Sequence, residues 1–140
     1  MRRIHLTLGL TFVAVFLATG MFMRLRFPEA YAGDPTMRML FRSAHIYILL
    51  SALLNVMVGL HLRESGGRLR TIGSVLLLLA PVFFTLAFTI EPAPGRVERP
   101  YATLGAVSAA AGTLLHLIGR GTRPPLRSSN TRSPFDRAAD

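Results

Sequence analysis

The chain of 140 residues contains no cysteine, and its sixteen basic residues are all arginine, so that lysine is missing as well. Without cysteine, the chain cannot form a disulfide scaffold, a thiolate zinc site, an iron–sulfur cluster or a cysteine nucleophile. Charged residues make up only 16% of the chain, against roughly 25% in soluble domains, whereas hydrophobic residues make up 51%. This composition excludes a disordered chain and indicates that water does not surround most of the protein.

Sequence signatures of catalysis are also missing. There is no glycine-rich phosphate loop, no His-Glu-x-x-His pattern and no serine elbow. No Asp or Glu lies within a long apolar run, which weakens the hypothesis of a transporter driven by protons or sodium ions. The sequence therefore favours a non-enzymatic protein.

Four apolar stretches make up more than half of the chain: residues 4–23, 44–62, 71–90 and 101–118. Their only ionisable side chains are His and Tyr. About 20 helical residues cross the roughly 30 Å of hydrocarbon in a bilayer, where an exposed strand would leave its backbone unsatisfied. We therefore predict an all-α, polytopic membrane protein, with four transmembrane helices in an antiparallel bundle over residues 1–120. The basic tail over 121–140, rich in Arg, Ser and Pro, is expected to be disordered.

The arginines predict an orientation and a lipid partner. The net charge of +9 is concentrated between and after the apolar stretches, which is typical of membrane flanks and not of a nucleic-acid-binding face. With the N terminus inside, ten arginines lie in the cytoplasm and six outside. We therefore expect both termini in the cytoplasm, the inner membrane as location if the source is bacterial, and anionic lipids at the cytoplasmic face.

Two short patterns predict how the first helices begin and end. The chain starts like a signal peptide with a cleavage pattern at Ala30-Tyr31-Ala32, but its apolar run exceeds the usual length of roughly 7–15 residues. Arg24 also follows that run directly, so we expect a retained helix. Asp34-Pro35 reads as an N-cap followed by proline at the first helical position, so the second helix is predicted to begin near Pro35.

The last three stretches each carry a face of small or polar residues at helical spacing. Lipid provides no hydrophobic force between helices, so such faces predict close packing. In the third stretch, Pro81 leaves the carbonyl of Leu77 without its helical partner, and we expect nearby threonines to bond it. The faces are Ala44, Ser51, Asn55 and Gly59; Ser74, Pro81, Thr85 and Thr89; and Gly105, Ala109 and Gly112.

Histidine is the side chain best suited to bind a haem or a transition metal in this chain. His5, His61 and His116 each lie within two residues of the same end of their stretches, so the predicted topology puts them in one layer. His5 and His116 share faces with glycines, whereas His61 lies on a bulky face. The best predicted pair is therefore His5 with His116, with His61 as a further candidate for a haem b or metal site. The alternatives are interfacial histidines bonded to water or headgroups, and a proton relay.

Two other groups of polar residues admit two interpretations each. Asn55, in the middle of its stretch, is either an interhelical hydrogen-bonding residue or a contact for a substrate or ion. At the predicted outer side, a set of charged residues and one histidine forms either an anion-binding or partner-binding rim or a group of solvated charges in weak pairs. This set comprises Arg38, Arg42, His45, Glu91 and Arg99, together with Glu98.

Three hypotheses on function follow. The first is a non-enzymatic accessory, assembly or interaction subunit, whose partners are other membrane subunits or further copies of the chain. The second is a haem-binding membrane redox protein that uses the histidines on the cytoplasmic side. The third is a small transporter or lipid-binding protein with Asn55 in its path.

Overall fold

The computed structural model describes residues 1–61, 67–93 and 98–121, with side chains as far as Gly119. These ranges form four helices and no strand: α1 (Arg2–Ala30), α2 (Pro35–His61), α3 (Arg68–Ile90) and α4 (Pro100–Gly121). Each helix is long and apolar enough to cross a membrane. The prediction of an all-helical chain with four such helices is confirmed. The predicted tail, except its first residue, lies outside the described residues.

Asp34 and Pro35 determine where α2 begins. Pro35 is its first residue, and the backbone N–H of Met37 donates to Oδ1 of Asp34 over 2.9 Å. An N-cap side chain satisfies one of the backbone donors that have no partner within the helix. The helix thus begins nine residues before the apolar stretch at 44–62, as the Asp34-Pro35 pair predicts.

Helix α1 packs on α2, α2 on α3, and α3 on α4. The start of α1 meets the last turns of α2 through His5 and Asn55, and the start of α3 meets the last turns of α4 through Ser74 and His116. We call this end of the molecule the His5 end. At the opposite end, the Glu91 end, α3 finishes beside the first turn of α4.

Glycines allow the helices to approach closely at the His5 end. A Cβ atom on Gly112 would lie 2.8 Å from the carbonyl oxygen of Gly73, so α3 and α4 touch backbone to backbone. A Cβ atom on Gly9 would lie 2.9 Å from the backbone nitrogen of Val56, which holds α1 equally close to α2. The predicted small-residue face of α2 is buried throughout. On α3 the predicted face ends early, because Thr89 is exposed.

The interior changes in character along the helices. Toward the Glu91 end it is aromatic, with Phe27, Phe41, Phe84 and Phe88 in one buried cluster. Toward the His5 end the buried side chains include several polar groups, His5, Ser51, Asn55 and Ser74 among them. Buried polar groups need hydrogen-bond partners inside the protein, so the His5 end contains a network of polar side chains in which a functional site can be sought.

Candidate functional site: His5 and His116

Asn55 lies at the centre of the polar cluster and is fully buried. Its Nδ2 group donates to the carbonyl oxygens of Ser51, 2.9 Å away in the same helix, and Leu77, 2.7 Å away in α3. Both amide hydrogens are therefore used, and the amide orientation is determined because a flipped amide would set its oxygen against two carbonyl oxygens. The oxygen Oδ1 consequently faces His5 on α1.

The orientation of Asn55 determines the tautomer of His5. Nδ1 of His5 lies 2.7 Å from Oδ1 of Asn55, and an amide oxygen can only accept, so Nδ1 carries the proton. In the neutral imidazole this leaves the lone pair on Nε2. That nitrogen is buried and has no hydrogen-bond partner among the described residues. A fixed Nδ1–H with an available Nε2 is the arrangement found in histidines that bind metals.

The imidazole ring of His116, on α4, lies beside that of His5. The two ring centroids are 6.4 Å apart and the ring planes are inclined at 78°. Nε2 of His116 forms a 3.1 Å hydrogen bond with Oγ of Ser74 on α3. A Cβ atom on Gly73 would lie 3.1 Å from Cδ2 of His116, so this glycine gives the ring its place against α3.

The carbonyl that Pro81 leaves unpaired is part of the same cluster. We predicted that nearby threonines would bond this carbonyl, but Thr85 donates to the oxygen of Pro81, and Thr89 to those of Thr85 and Leu86. Each hydroxyl thus follows the ordinary pattern of bonding three or four residues back along its own helix. Asn55 reaches the Leu77 carbonyl from the neighbouring helix instead.

The third predicted ligand, His61, does not join the pair. Its side chain is exposed at the end of α2, and its Nδ1 donates to the carbonyl oxygen of Met57 over 2.9 Å. His61 therefore lies at the His5 end of the molecule, like His5 and His116, but outside the cluster of buried polar side chains.

The site has few possible ligands. Within the described ranges, no three residues of the types His, Cys, Asp or Glu lie close enough to hold a metal ion together. What the cluster offers is two imidazoles, one serine hydroxyl and an amide whose groups are already bonded. Such a set can ligate a group that needs two protein ligands, or carry a proton between imidazoles.

The Glu91 end contains a second buried polar group. Glu91 is only 2% exposed, and its Oε1 accepts the backbone N–H of Ala102 over 2.9 Å, so it caps α4. Its Oε2 pairs with Nε of Arg99 at 3.3 Å, and Nη1 of Arg99 donates to Oγ of Ser43 over 2.7 Å. For Glu91, the interpretation as a solvated charge is wrong, because its carboxylate is buried and accepts a backbone N–H of the first turn of α4.

The other predicted rim residues do not form one cluster with Glu91 and Arg99. Arg38 lies over the ring of Phe27, 5.9 Å from its centroid, and Arg42 is exposed. His45 stacks on Phe16 and donates from Nδ1 to Oγ1 of Thr19, whose own proton goes to a backbone carbonyl. The residues predicted to form an outer rim thus include one partly buried ion pair, between Glu91 and Arg99, while the others lie apart from it.

Sequence reasoning missed three participants: Ser74 as the partner of His116, Thr19 as the partner of His45, and Ser43 as the partner of Arg99. One signal was available for the Leu77 carbonyl, since a proline four residues later always leaves an acceptor unpaired. Asn55 is the buried amide that can reach it from α2. No comparable signal points to Ser43 or Thr19, because their partners are remote in sequence.

Comparisons with known proteins give no relative from which a role could be transferred. No protein-family model, curated protein or solved structure matches the chain.

Proposed function

We propose that the chain is a multi-pass membrane protein that binds a metal-bearing redox group, a transition-metal ion or a haem, between His5 and His116. In this proposal the four helices form an antiparallel bundle across the bilayer, and the site lies near one membrane surface. Four-helix bundles commonly hold such groups between side chains of facing helices.

One observation carries the proposal: Nε2 of His5 is buried without a partner, although the same ring is held by a hydrogen bond at Nδ1. Leaving a buried polar atom unpaired costs about 1–3 kcal/mol, so its presence calls for a reason. A metal at Nε2 would give this atom a partner and would use the tautomer that Asn55 imposes.

The arginine distribution supports the proposed orientation. In the sequence, ten arginines adjoin the ends of the apolar stretches that the topology prediction puts in the cytoplasm, the ends that contain His5 and His116, and six adjoin the other ends. The positive-inside rule then puts both termini and the site at the cytoplasmic face, next to anionic lipids.

The test is the metal content of the protein, purified in mild detergent from its native membrane and measured by elemental mass spectrometry beside its absorbance spectrum. We expect about one metal per chain, lost in His5→Ala and in His116→Ala. The matched control is His61→Ala, because His61 is exposed at the same end, and this variant should retain the metal. Wild-type protein without metal, or equal metal in all four proteins, would contradict the proposal.

A second function, an accessory or assembly subunit, is favoured by the exposure of α1. Only His5, Gly9 and Phe27 are buried among its 29 residues. Exposed small residues recur at helical spacing along its outward face: Thr7, Thr11, Ala14 and Ala18. A face of this kind suits close contact with another transmembrane helix, from a further membrane subunit or a second copy of the chain.

The absence of cysteine makes this second function easy to test. Ala14→Cys would be the only thiol in the chain, and oxidation in the membrane should join two copies through a disulfide if α1 meets α1 of a second copy there. Leu53→Cys, on an exposed position of α2, is the control. Equal crosslinking of both variants, or of neither, would argue against a second copy on α1.

A further inference from the structure

We infer that the surface groove between α1 and α2, toward the Glu91 end, binds a lysophospholipid, a phospholipid that has one acyl chain and a free hydroxyl on its glycerol. The phosphate of this lipid lies between Arg24 and Arg42, and its hydroxyl donates to Nε2 of His45. The inference requires helices that span a bilayer, but it does not require a metal at His5 and His116.

The tautomer of His45 is determined by Thr19 of α1. The Thr19 hydroxyl donates to the carbonyl oxygen of Phe16, so its oxygen accepts from Nδ1 of His45 over 2.9 Å. In the neutral ring, Nε2 therefore carries a lone pair. This nitrogen has no hydrogen-bond partner among the described residues, and unlike Nε2 of His5 it is not buried. The ring itself is held by stacking on Phe16, with centroids 4.0 Å apart.

The Nε2 edge of the His45 ring faces away from α3. Nδ1 points to Thr19, which lies on the same side of α1 as Phe22, three residues later. Phe22 in turn contacts Phe88 of α3. The other edge of the ring lies over Gly20, where a Cβ atom would be 3.2 Å from Cε1 and 3.6 Å from Nε2. Because Gly20 has no side chain, Nε2 stays uncovered on the surface of the α1–α2 pair.

Two exposed arginines lie one helical turn from the ring, one on each helix. Arg42 precedes His45 by three residues on α2. Arg24 follows Gly20 by four residues on α1. At these spacings, side chains are neighbours on one face of a helix. Since α1 and α2 run in opposite directions, both arginines are displaced from the ring toward the same end of the molecule, by about 4.5–6 Å along the helices.

The depth of these groups in a bilayer matches the order of groups in a lysophospholipid. Arg24 directly follows the apolar stretch at 4–23, and His45 is the second residue of the stretch at 44–62, so the guanidinium groups lie at the level of the lipid phosphates and the imidazole just below them. Guanidinium groups bind phosphate through paired, charge-assisted hydrogen bonds. The lone pair of Nε2 requires a donor at the level of the glycerol. A diacyl lipid has only esters there, whereas a lysophospholipid keeps one hydroxyl free.

The experiment compares two ligands that differ only at this hydroxyl: a lysophosphatidic acid and its 2-deoxy analogue, in which hydrogen replaces the hydroxyl. Equal amounts are added to the full-length protein in detergent micelles, and the bound lipids are counted by native mass spectrometry. For the wild type we expect one lipid per chain and a preference of about three- to tenfold for the free hydroxyl, which corresponds to one hydrogen bond. This comparison does not depend on the folding of any variant.

Variants assign the two parts of the ligand to their residues. His45→Phe keeps a planar ring for stacking but removes the acceptor, so it should bind both ligands equally. Arg24→Gln and Arg42→Gln should weaken the binding of both ligands severalfold and leave the preference unchanged. The matched control is Arg26→Gln, because Arg26 is also exposed but lies two residues after Arg24 and therefore on the opposite side of α1. This variant should change neither quantity.

Three outcomes would overturn the inference: equal binding of both ligands by the wild type, a preference that His45→Phe retains, or binding that neither Arg24→Gln nor Arg42→Gln weakens. The metal content of His45→Phe should equal that of the wild type, since His45 has no contact with His5 or His116. The inference and the proposed function can therefore fail separately.

Discussion

Asn55 joins three helices through a single amide. It bonds to the backbone of its own helix, to His5 of α1 and to the Leu77 carbonyl of α3. All three bonds are buried, so none competes with water, and the removal of the amide leaves two groups on other helices unpaired. The residue therefore positions a candidate ligand and also stabilises the packing of the helices.

Replacing Asn55 by leucine, which has nearly the same shape, should separate these roles. We expect Asn55→Leu to lower the free energy of unfolding by about 1–2 kcal/mol and to weaken binding at His5 by roughly 10–100-fold. Unfolding in mixed micelles measures the first effect, and titration of metal-free protein with Cu²⁺ or Zn²⁺ measures the second. In the control Thr11→Val, which removes an exposed bond within α1, both quantities should stay near the wild-type values.

Glu91 makes two interactions at the Glu91 end, since it caps α4 and pairs with Arg99. Glu91→Gln keeps one oxygen for the cap of α4, but it removes the charge that pairs with Arg99. Because Arg99 is partly exposed, we expect a loss of about 1–3 kcal/mol in the free energy of unfolding, and not the full cost of a deeply buried pair. The matched control is Glu98→Gln, on an exposed neighbouring residue, which should change stability by less than about 0.5 kcal/mol. Equal effects of the two variants would mean that the ion pair with Arg99 contributes nothing to stability.

At the scale of the helix, a proline removes one backbone hydrogen bond from α3, and a side chain of the neighbouring helix α2 supplies a donor in its place. Pro81 deprives the Leu77 carbonyl of its helical donor, and Asn55 of α2 donates in its place. The hydrogen bond that is missing within α3 is thus replaced by one between α2 and α3. Transmembrane helices tolerate proline on this condition, because another helix satisfies the carbonyl that the proline leaves unpaired.

A double-mutant cycle tests this compensation. In Pro81→Ala the backbone N–H of residue 81 can bond the Leu77 carbonyl, so Asn55→Leu should cost less in this background than in the wild type. We expect a coupling free energy of about 0.5–2 kcal/mol between the two positions, from unfolding in mixed micelles. A cycle of Pro81→Ala with Ser43→Ala, at the Glu91 end, should give none. Additive effects of Pro81→Ala and Asn55→Leu would show that the proline and the amide are independent.

The helices were predictable from the sequence because their signals are local. Apolar length predicts four spans, and the Asp34-Pro35 pair predicts where α2 begins. The facing of His5 and His116 was also predictable, since each shares a face with glycines that permit close packing. The bonds that give the site its chemistry depend on which helices are neighbours, and one sequence does not contain this information. For this reason Ser74, Thr19 and the Asn55–Leu77 bond became apparent only in the structure.

At the scale of the whole molecule, the proposed bundle predicts which side of the membrane each of its ends faces. Gly33 and Gly67 are exposed and lie near the Glu91 end and the His5 end, respectively. A single cysteine at either position would be the only thiol in the chain. We expect Gly33→Cys to react with a membrane-impermeant maleimide in intact cells, and Gly67→Cys only after the membrane is permeabilised. The reverse pattern would put the histidines on the outer side, and labelling of both in intact cells would contradict a membrane-spanning bundle.

The central claim is that His5 and His116 bind one metal together. X-ray absorption at the metal edge of the purified protein tests it most directly, because imidazole ligands give a characteristic multiple-scattering pattern. We expect two imidazole ligands per metal in the wild type and in His61→Ala, and fewer than two on any metal that His5→Ala retains. A metal without imidazole scattering, or a wild-type protein without metal, would contradict it.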